Sequence, residues 1–549
     1  MVARDRRSSN EDVVAAIERT RTSRHLDREQ EQIVRSVPVH RVLHGGAKKF
    51  ASSEGVATDY ELSAPTEQID YFLSHSWRAS RMHKYLTLWM FFRLPAATAG
   101  AVLFSLLAFV LTLTDVLPPM TSNFTERFDD LEQDGEGGPV SLWASLSAIV
   151  GFFAGAMIQG MSERHLSKGK GCFLDKLCIH QTDVGLKKQG IRSIGLFLRR
   201  SDQMFILWSP EYFTRLWCCF EVAAFEKGAR EDSRDVSRHI TFRPVQIGPF
   251  LAICYLGILS LSTLNLVWIM VLGGAQSAFA LALVQSLIFG CLVAPWVVSY
   301  ARARNEVFEQ LRTFSFHEAD CFAQSDRTLI TKLLTLWYSP DKQDEGASIA
   351  SFDTMVRTKM LSLVKKQIGD PVPYTLSVMI SIAVYSGCAC DILASRMMLP
   401  DSLLVENRAL DHACFAIFLL CFPLLYWPAC VRMFANYAML LAPKRGVNRL
   451  NLQFRYLCLS VANAFIGSAF YYVMGVSFYT LAKGPGIVVA VVCTLVIGVV
   501  YLTIAYKGGA CVEALRRRLG RAAPMELVSA VPIDGGAASA TAAPVAVGV

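Results

Sequence analysis

The feature that most constrains the fold of this chain is a series of apolar stretches without charged side chains. Each is about twenty residues long, the length at which a helix crosses a hydrocarbon core. The composition points the same way, because 53% of the residues are hydrophobic and only 18% are charged, whereas a soluble domain carries about a quarter charged residues. We therefore predict a polytopic α-helical membrane protein with some aqueous mass.

The apolar stretches number eight and pair into four hairpins. They cover residues 94–114, 140–161, two segments between 243 and 302 separated at 273–277, 371–390, 413–431, 456–481 and 485–506. Residues 1–67 are polar and lack the apolar core of a cleaved signal peptide, so we expect the first span to act as the insertion signal. The bilayer is thus the first partner that the sequence predicts.

The charges of the loops orient these spans. The loop 115–139 is acidic and carries an Asn-Phe-Thr glycosylation sequon at Asn123, which is used only on the lumenal side. The loops on the opposite side are basic, at 78–84, 164–170, 302–304, 444–455 and 516–521. This asymmetry predicts a multi-pass protein with both termini in the cytoplasm. It also accounts for the formal net charge of +8 without a nucleic-acid partner.

Four short segments rich in apolar, aromatic and branched residues predict strands of a buried parallel sheet. They are residues 69–76, 172–177, 203–209 and 239–245. Between the second and third strands, residues 185–201 carry apolar side chains at helical spacing with basic residues opposite, which predicts an amphipathic crossover helix. Strands that alternate with helices indicate a doubly wound α/β layer.

Three blocks of this layer resemble known families. One run looks like the third conserved block of Toll/interleukin-1 receptor (TIR) domains; its matching residues are Ser209, Tyr212, Trp217, Cys218, Glu221 and Val222. Residues 71–77, YFLSHSW, and 173–183, FLDKLCIHQTD, resemble the two boxes of the fungal heterokaryon-incompatibility (HET) domain. The chain departs from these patterns at Arg78, where the HET box has glycine, and at the CIHQT loop after the second strand.

The resemblance implies a small cytoplasmic flavodoxin-like domain, split into residues 68–92 and 162–246. A transmembrane hairpin, 93–161, interrupts the crossover between the first two strands. A parallel crossover must return to the same edge of the sheet, and an even number of membrane crossings permits that. We therefore predict a TIR/HET-like domain held against the membrane face.

The remaining segments are assigned by composition. Residues 1–67 form a polar, partly disordered region, and 507–549 form a basic and then low-complexity tail. Three further hairpins occupy 247–301, 371–432 and 456–506, with a basic loop at 433–455. The cytoplasmic segment 302–370 is mostly helical; it either packs on the sheet or forms an independent linker.

The resemblance also implies a candidate site. Enzymatic TIR domains cleave the nicotinamide–ribose bond of NAD with a glutamate at the position that Glu221 matches. In α/β folds of this kind, ligands bind outside the carboxyl ends of the strands. Seven further residues lie there in sequence and are candidate ligand-binding groups: Ser74, His75, Trp77, Arg78, Asp175, His180 and Trp217. A carboxylate suits this chemistry because the bond breaks through an oxocarbenium-like ribose.

The function predicted from the sequence is a membrane-anchored TIR/HET-like signalling or interaction protein that faces the cytoplasm. Self-association, or association with other TIR-like domains, is implied by the resemblance. One alternative is a membrane-tethered NAD glycohydrolase that uses Glu221, with NAD as substrate and no required cofactor. A second is a transporter or channel with a regulatory TIR-like domain. No metal site is predicted, because residues 317–321, HEADC, have no second ligand cluster.

Overall fold

The computed structural model describes residues 14–15, 32–121, 139–165, 169–272, 275–321, 324–338, 344–368, 372–398, 408–441, 488–489, 491–500 and the single positions 458, 461, 503 and 505. The sequon at Asn123, the tail 507–549 and most of the predicted fourth hairpin lie outside these residues.

The described residues contain a six-stranded mixed sheet. Its strands are β1 (Arg35–Pro38), β2 (Ala64–Pro65), β3 (Ile69–His75), β6 (Gly171–Phe173), β7 (Ser201–Trp208) and β8 (Ile240–Pro244). The order across the sheet is β2-β1-β6-β3-β7-β8. The four strands from β6 to β8 are parallel, and β1 is antiparallel to β6. A separate pair, β4 (Met120–Thr121) and β5 (Pro139–Val140), joins the ends of the first two membrane helices.

The described helices fall into two groups along the chain. Those up to the fourth parallel strand are α1 (Val39–Ala47), α2 (Ala57–Tyr60), α3 (Arg81–Leu113), α4 (Trp143–His165), α5 (Asp175–Cys178), α6 (Val184–Arg192), α7 (Ile194–Arg199), α8 (Leu216–Glu231) and α9 (Val236–His239). Those after it are α10 (Ile247–Leu272), α11 (Ala275–Arg312), α12 (Gln324–Tyr338), α13 (Glu345–Met355), α14 (Leu361–Ile368), α15 (Tyr374–Met397), α16 (Arg408–Cys421) and α17 (Trp427–Leu441).

The four strands predicted from the sequence are present, with one correction. Residues 172–177 were expected to form a single strand, but β6 ends at Phe173 and residues Asp175–Cys178 form a helical turn. The Asp175 carboxylate accepts a hydrogen bond from the backbone N–H of Lys176 at 2.7 Å, which favours this turn at the expense of a longer strand.

The N-terminal edge of the sheet also differs from the expectation. Residues 35–38 were assigned to a polar region outside the α/β layer, yet β1 pairs with β6 through Val37 and Cys172. Val37 is fully buried. A four-residue segment with only two apolar side chains carries too little periodic signal to be recognised as a strand.

Helix α3 connects the sheet directly to the membrane part. It is one continuous helix of 33 residues, about 50 Å long at 1.5 Å per residue, whereas a hydrocarbon core is about 30 Å thick. The excess lies at its N-terminal end, where Phe91 and Phe92 pack edge-on against Tyr71 of β3. The predicted crossover helix and the predicted first span are therefore a single element.

Four helical segments of the described chain are long and apolar enough to cross a membrane: Arg81–Leu113, Trp143–His165, Tyr374–Met397 and His412–Met433. Large apolar side chains such as Val150, Phe153 and Met157 are more than half exposed on the second of these, as expected of a lipid-facing surface. The predicted second hairpin corresponds to α10 and α11, which are helical on both sides of 273–274.

The first two membrane helices pack backbone to backbone. A Cβ added to Gly151 would lie 2.3 Å from the carbonyl oxygen of Gly100, and one added to Gly155 would lie 2.2 Å from that of Ala96. The close helix packing that we expected from the Gly151–Gly155 spacing is therefore present.

The segment 302–370 packs on the sheet rather than forming a separate linker. Leu333 of α12 and Val364 of α14 belong to the same buried cluster as the strands. At the outer edge, the Gln367 side chain accepts a hydrogen bond from the backbone N–H of Phe242 at 2.7 Å and donates one to the carbonyl oxygen of Ile240. The Gln367 side chain thus bonds to backbone groups of β8 that would have no partner on an exposed edge strand.

Candidate functional site

The carboxyl ends of three parallel strands bring polar side chains together. β3 ends at His75, β6 is followed by Asp175, and β7 is followed by the loop that leads into α8. Because these strands are parallel neighbours, their carboxyl ends share one edge of the sheet. That edge is where ligands bind in open α/β sheets.

The centre of the cluster is the hydroxyl group of Ser74. Its Oγ donates a hydrogen bond to Oε2 of Glu221 at 2.5 Å and lies 2.6 Å from the hydroxyl of Tyr212. Ser74 and Tyr212 are buried, while Glu221 is half-buried. Burial raises the pKa of Glu221 to about 8, against the lowering effect of the Ser74 hydrogen bond. Near neutral pH the Glu221 carboxyl group is therefore mostly protonated.

A second pair lies beside it. Nε1 of Trp77 donates a hydrogen bond to Oδ2 of Asp175 at 3.0 Å. Burial raises the pKa of Asp175, while this hydrogen bond opposes the rise. The nearby carboxyl group of Glu221 has its own pKa raised further by the charge of Asp175. The charge of Asp175 thus disfavours the ionised form of Glu221, and carboxyl groups perturbed in this way occur often at functional sites.

His75 lies between aromatic rings. Its ring centroid is 4.9 Å from that of Phe50 and 4.6 Å from that of Trp77, both edge-on. Burial, reinforced by the charge of Lys84, lowers the pKa of His75 well below its ordinary value, so the imidazole is neutral. Its Nε2 is buried and has no hydrogen-bond partner among the described residues.

Lys84, which was not among the predicted site residues, lies under this cluster. It is fully buried. Its Nζ is 5.3 Å from the ring centroid of Phe50 and 5.5 Å from that of Trp77, and it makes no hydrogen bond in the part of the chain that the structure describes. A buried ammonium group without a hydrogen-bonded partner is costly and marks a position that an anionic group would stabilise.

Arg215 is the other cationic group at the site. It precedes α8, and its charge lowers the pKa values of both Glu221 and Asp175. Its backbone forms a bridge to Asp320, and the N–H of Leu216 donates to the carbonyl oxygen of Asp320 at 3.1 Å. The helical segment after the second hairpin therefore fixes the loop that carries Arg215.

Three predicted ligand-binding residues lie apart from the cluster's hydrogen bonds. Arg78 is exposed. The ring of His180 lies 5.0 Å from that of Tyr60, and its Nδ1 accepts a hydrogen bond from the N–H of Asp183 at 2.9 Å, so it orders its own loop. Trp217 donates through Nε1 to Asp326 at 3.0 Å, toward α12.

The sequence carries a signal for Lys84, which lies at helical spacing from the apolar Leu88. Lys84 and Leu88 are four residues apart on α3, and both are buried, so Lys84 lies on the face that packs on the sheet. Arg215 gives no such signal, because a residue that precedes a helix has no fixed face in the sequence pattern.

In this arrangement Glu221 can act either as a proton donor or, once ionised, as a charge stabiliser, with Lys84 as a buried cation beside Trp77. Within the described residues, no three His, Cys, Asp or Glu side chains converge where a metal ion would sit. No protein-family model, curated protein or solved structure matches this chain, so these properties are inferred from the geometry.

Proposed function

We propose that the chain is a membrane-anchored signalling protein of the TIR/HET-like kind, with its α/β domain on the cytoplasmic face. The observation that carries this proposal is the split parallel sheet. Counted along the chain, its four parallel strands lie in the order second, first, third, fourth, which is the beginning of the flavodoxin-like order. The first two strands lie on either side of the α3–α4 hairpin and yet are paired.

The proposal extends to the membrane part. We propose eight spans in four hairpins, with both termini in the cytoplasm. The loop charges in the sequence support this orientation, as does the return of the chain to one sheet after two apolar helices.

A signalling role of this kind requires self-association, which can be tested on the full-length protein. Two copies with different tags, expressed together in one membrane and solubilised in mild detergent, are expected to co-purify and to crosslink before extraction. Copies expressed separately and mixed only after extraction are the control. Absence of both co-purification and crosslinking at high membrane density would exclude an assembling module.

A second candidate is an NAD glycohydrolase, which the strand-end cluster specifically favours. Glu221 and Ser74 are hydrogen-bonded at 2.5 Å at the place where an α/β sheet binds ligands. Lys84 supplies a buried cation for a phosphate, and Trp77 supplies a ring face.

In this reaction the bond between the ribose anomeric carbon and the nicotinamide nitrogen breaks, and its electron pair leaves with nicotinamide. A water molecule then adds to the anomeric carbon and loses a proton, which gives ADP-ribose. The ionised Glu221 carboxylate stabilises the positive ribose. Because burial raises the pKa of Glu221 to about 8, turnover is expected to rise with pH until that value is passed.

NAD consumption by purified full-length protein tests this candidate. Glu221→Gln is expected to abolish turnover, and Lys84→Met is expected to raise KM more than it lowers kcat. Glu226→Gln is the matched control, because Glu226 lies on the same helix and bonds to Tyr338 at 2.9 Å and to Arg230, away from the cluster. Equal turnover in wild type and Glu221→Gln, or none in wild type on liposomes, contradicts the enzyme.

The transporter alternative gains no support from Asp391 on α15. The acidic side chain Asp391 is fully buried and accepts hydrogen bonds from the backbone N–H groups of Ala144 and Ser145 at 2.9 and 2.7 Å. It therefore caps the N-terminus of α4, a structural use of an intramembrane carboxylate.

A further inference from the structure

A basic cavity lies where the first membrane hairpin meets the sheet domain, away from the strand ends. Its volume is about 210 Å³, and its four lining residues are His40, Arg41, His44 and Arg164. The first three belong to α1, and Arg164 lies in the last turn of α4. Two elements that are far apart in sequence thus bring only basic side chains to one cavity.

The charges around this cavity indicate its position relative to the bilayer. The uninterrupted charge-free part of α3 begins after Arg93, and that of α4 ends before Glu163. These two side chains form a two-pronged ion pair, with both nitrogen–oxygen distances at 2.7 Å. Arg164 follows directly, so the cavity lies at the level of lipid headgroups.

The carboxylate of Glu163, near the cavity, is already paired. It accepts both hydrogen bonds from Arg93 and a third from Gln159 at 3.1 Å, so it offsets only part of the positive charge that Arg41 and Arg164 bring to the cavity. Burial lowers the pKa of His40 most; the charge of Glu163 raises it, and the charges of Arg41, Arg164 and Arg93 each lower it. A cavity whose own cations repel each other is stabilised by a bound anion.

The backbone keeps α1 in position. His44 leaves the helix, and Gly45 and Gly46 both have left-handed conformations with φ of 60° and 68°. Nη1 of Arg41 donates a hydrogen bond to the carbonyl oxygen of Leu62 at 2.7 Å. The guanidinium group of Arg41 is thus held over the cavity, and its exposed face keeps other donors available to a ligand.

We propose that this cavity binds the phosphomonoester group of an anionic membrane lipid. Arginine binds phosphate through paired N–H donors, and basic pockets beside transmembrane helices bind phosphorylated headgroups. Helix α3 runs without interruption from the membrane to the strand-end cluster. A lipid bound beside it at the membrane surface would therefore also fix the position of the domain on the membrane face.

Binding of dioctanoyl phosphatidic acid to the full-length protein in an uncharged detergent tests the proposal. Arg41→Gln combined with Arg164→Gln is expected to weaken binding at least about tenfold. Lys187→Gln combined with Lys188→Gln removes the same charge from exposed positions on α6 and is expected to change little. Unchanged thermal melting of each variant verifies the fold, and Arg41→Lys with Arg164→Lys is expected to restore part of the affinity.

Two further probes identify the source of the phosphate. Dioctanoyl phosphatidylcholine is expected not to bind, and inorganic phosphate is expected to bind much more weakly than phosphatidic acid. Equal affinity for inorganic phosphate would overturn the assignment to a lipid. Equal loss of phosphatidic acid binding in both double variants, or no binding to the wild type, would overturn the site.

Discussion

At the scale of single residues, folding places the carboxyl group of Glu221 in an environment that favours its protonated form. The folded pKa, about 8, lies above the ordinary value of a glutamate, so the folded state binds more protons than the unfolded state between those two values. The stability that this group contributes is present at low pH and is lost as the pH rises toward the folded pKa.

A variant that cannot ionise will not lose this stability. We therefore expect Glu221→Gln to melt at a higher temperature than the wild type near pH 8, and the difference to shrink near pH 5. A change of about 1 kcal/mol in the free energy of unfolding shifts Tm by about 2–4 °C in a domain of about 150–250 residues. Thermal melts of both proteins across this pH range measure the difference in melting temperature. A difference that does not change with pH would contradict the prediction.

Lys84 gives a prediction in the absence of any ligand. Its buried Nζ has no hydrogen-bond partner in the described chain, so Lys84→Met, which keeps a similar length, is expected to stabilise the protein by about 1–3 kcal/mol. Lys187→Met, at an exposed position on α6, is the control and is expected to have little effect. Destabilisation by Lys84→Met, with the control unchanged, would mean that the ammonium group is satisfied.

The sequence identified part of this site. Ser74, His75, Trp77, Asp175 and Glu221 lie together at the strand ends, because a parallel sheet brings residues that follow its strands to one edge. Side chains that lie in the loops or helices beyond the strand ends have no comparable constraint. His180 and Trp217 bond to their own surroundings, which no spacing in the sequence reveals.

At the scale of elements, the first two membrane helices depend on the absence of side chains at their contact. A Cβ on Gly151 would lie 2.3 Å from the Gly100 carbonyl oxygen, a contact that only a separation of the two helices relieves. Gly151→Ala is therefore expected to destabilise the full-length protein by about 1–3 kcal/mol, as overpacking does elsewhere. Gly160→Ala is the matched control, because its Cβ would meet only Arg93 at 3.7 Å.

Thermal melts in detergent compare the two alanine variants, which carry the same change in helix propensity on the same helix. Similar melting temperatures of the two variants would show that the contact between Gly151 and Gly100 does not stabilise the helix pair. The glycine spacing was visible in the sequence, but its partner was not, since Gly100 has no second glycine four residues away. Likewise, β1 was not predicted because its pairing with β6 depends on contacts that are distant in the chain.

At the scale of the whole molecule, the sequence predicted apolar helices and a small parallel sheet, and the described residues contain both. It left open whether the helices after the second hairpin pack on the sheet or form a linker, because an amphipathic helix does not specify which surface it covers. Phe220 of α8 and Trp337 of α12 lie 5.7 Å apart between ring centroids, which joins the two segments.

We propose that one domain is assembled from two segments of the chain that a membrane hairpin separates. Glycosylation in microsomes tests this assembly, since only lumenal sequons acquire a glycan. We expect one glycan on the wild type, lost in Asn123→Gln. Arg78→Asn, which creates a sequon with Ala79 and Ser80, and Glu231→Asn, which creates one with Asp232 and Ser233, are expected to add none. A glycan at position 78 or 231 would place half of the sheet in the lumen and contradict the account.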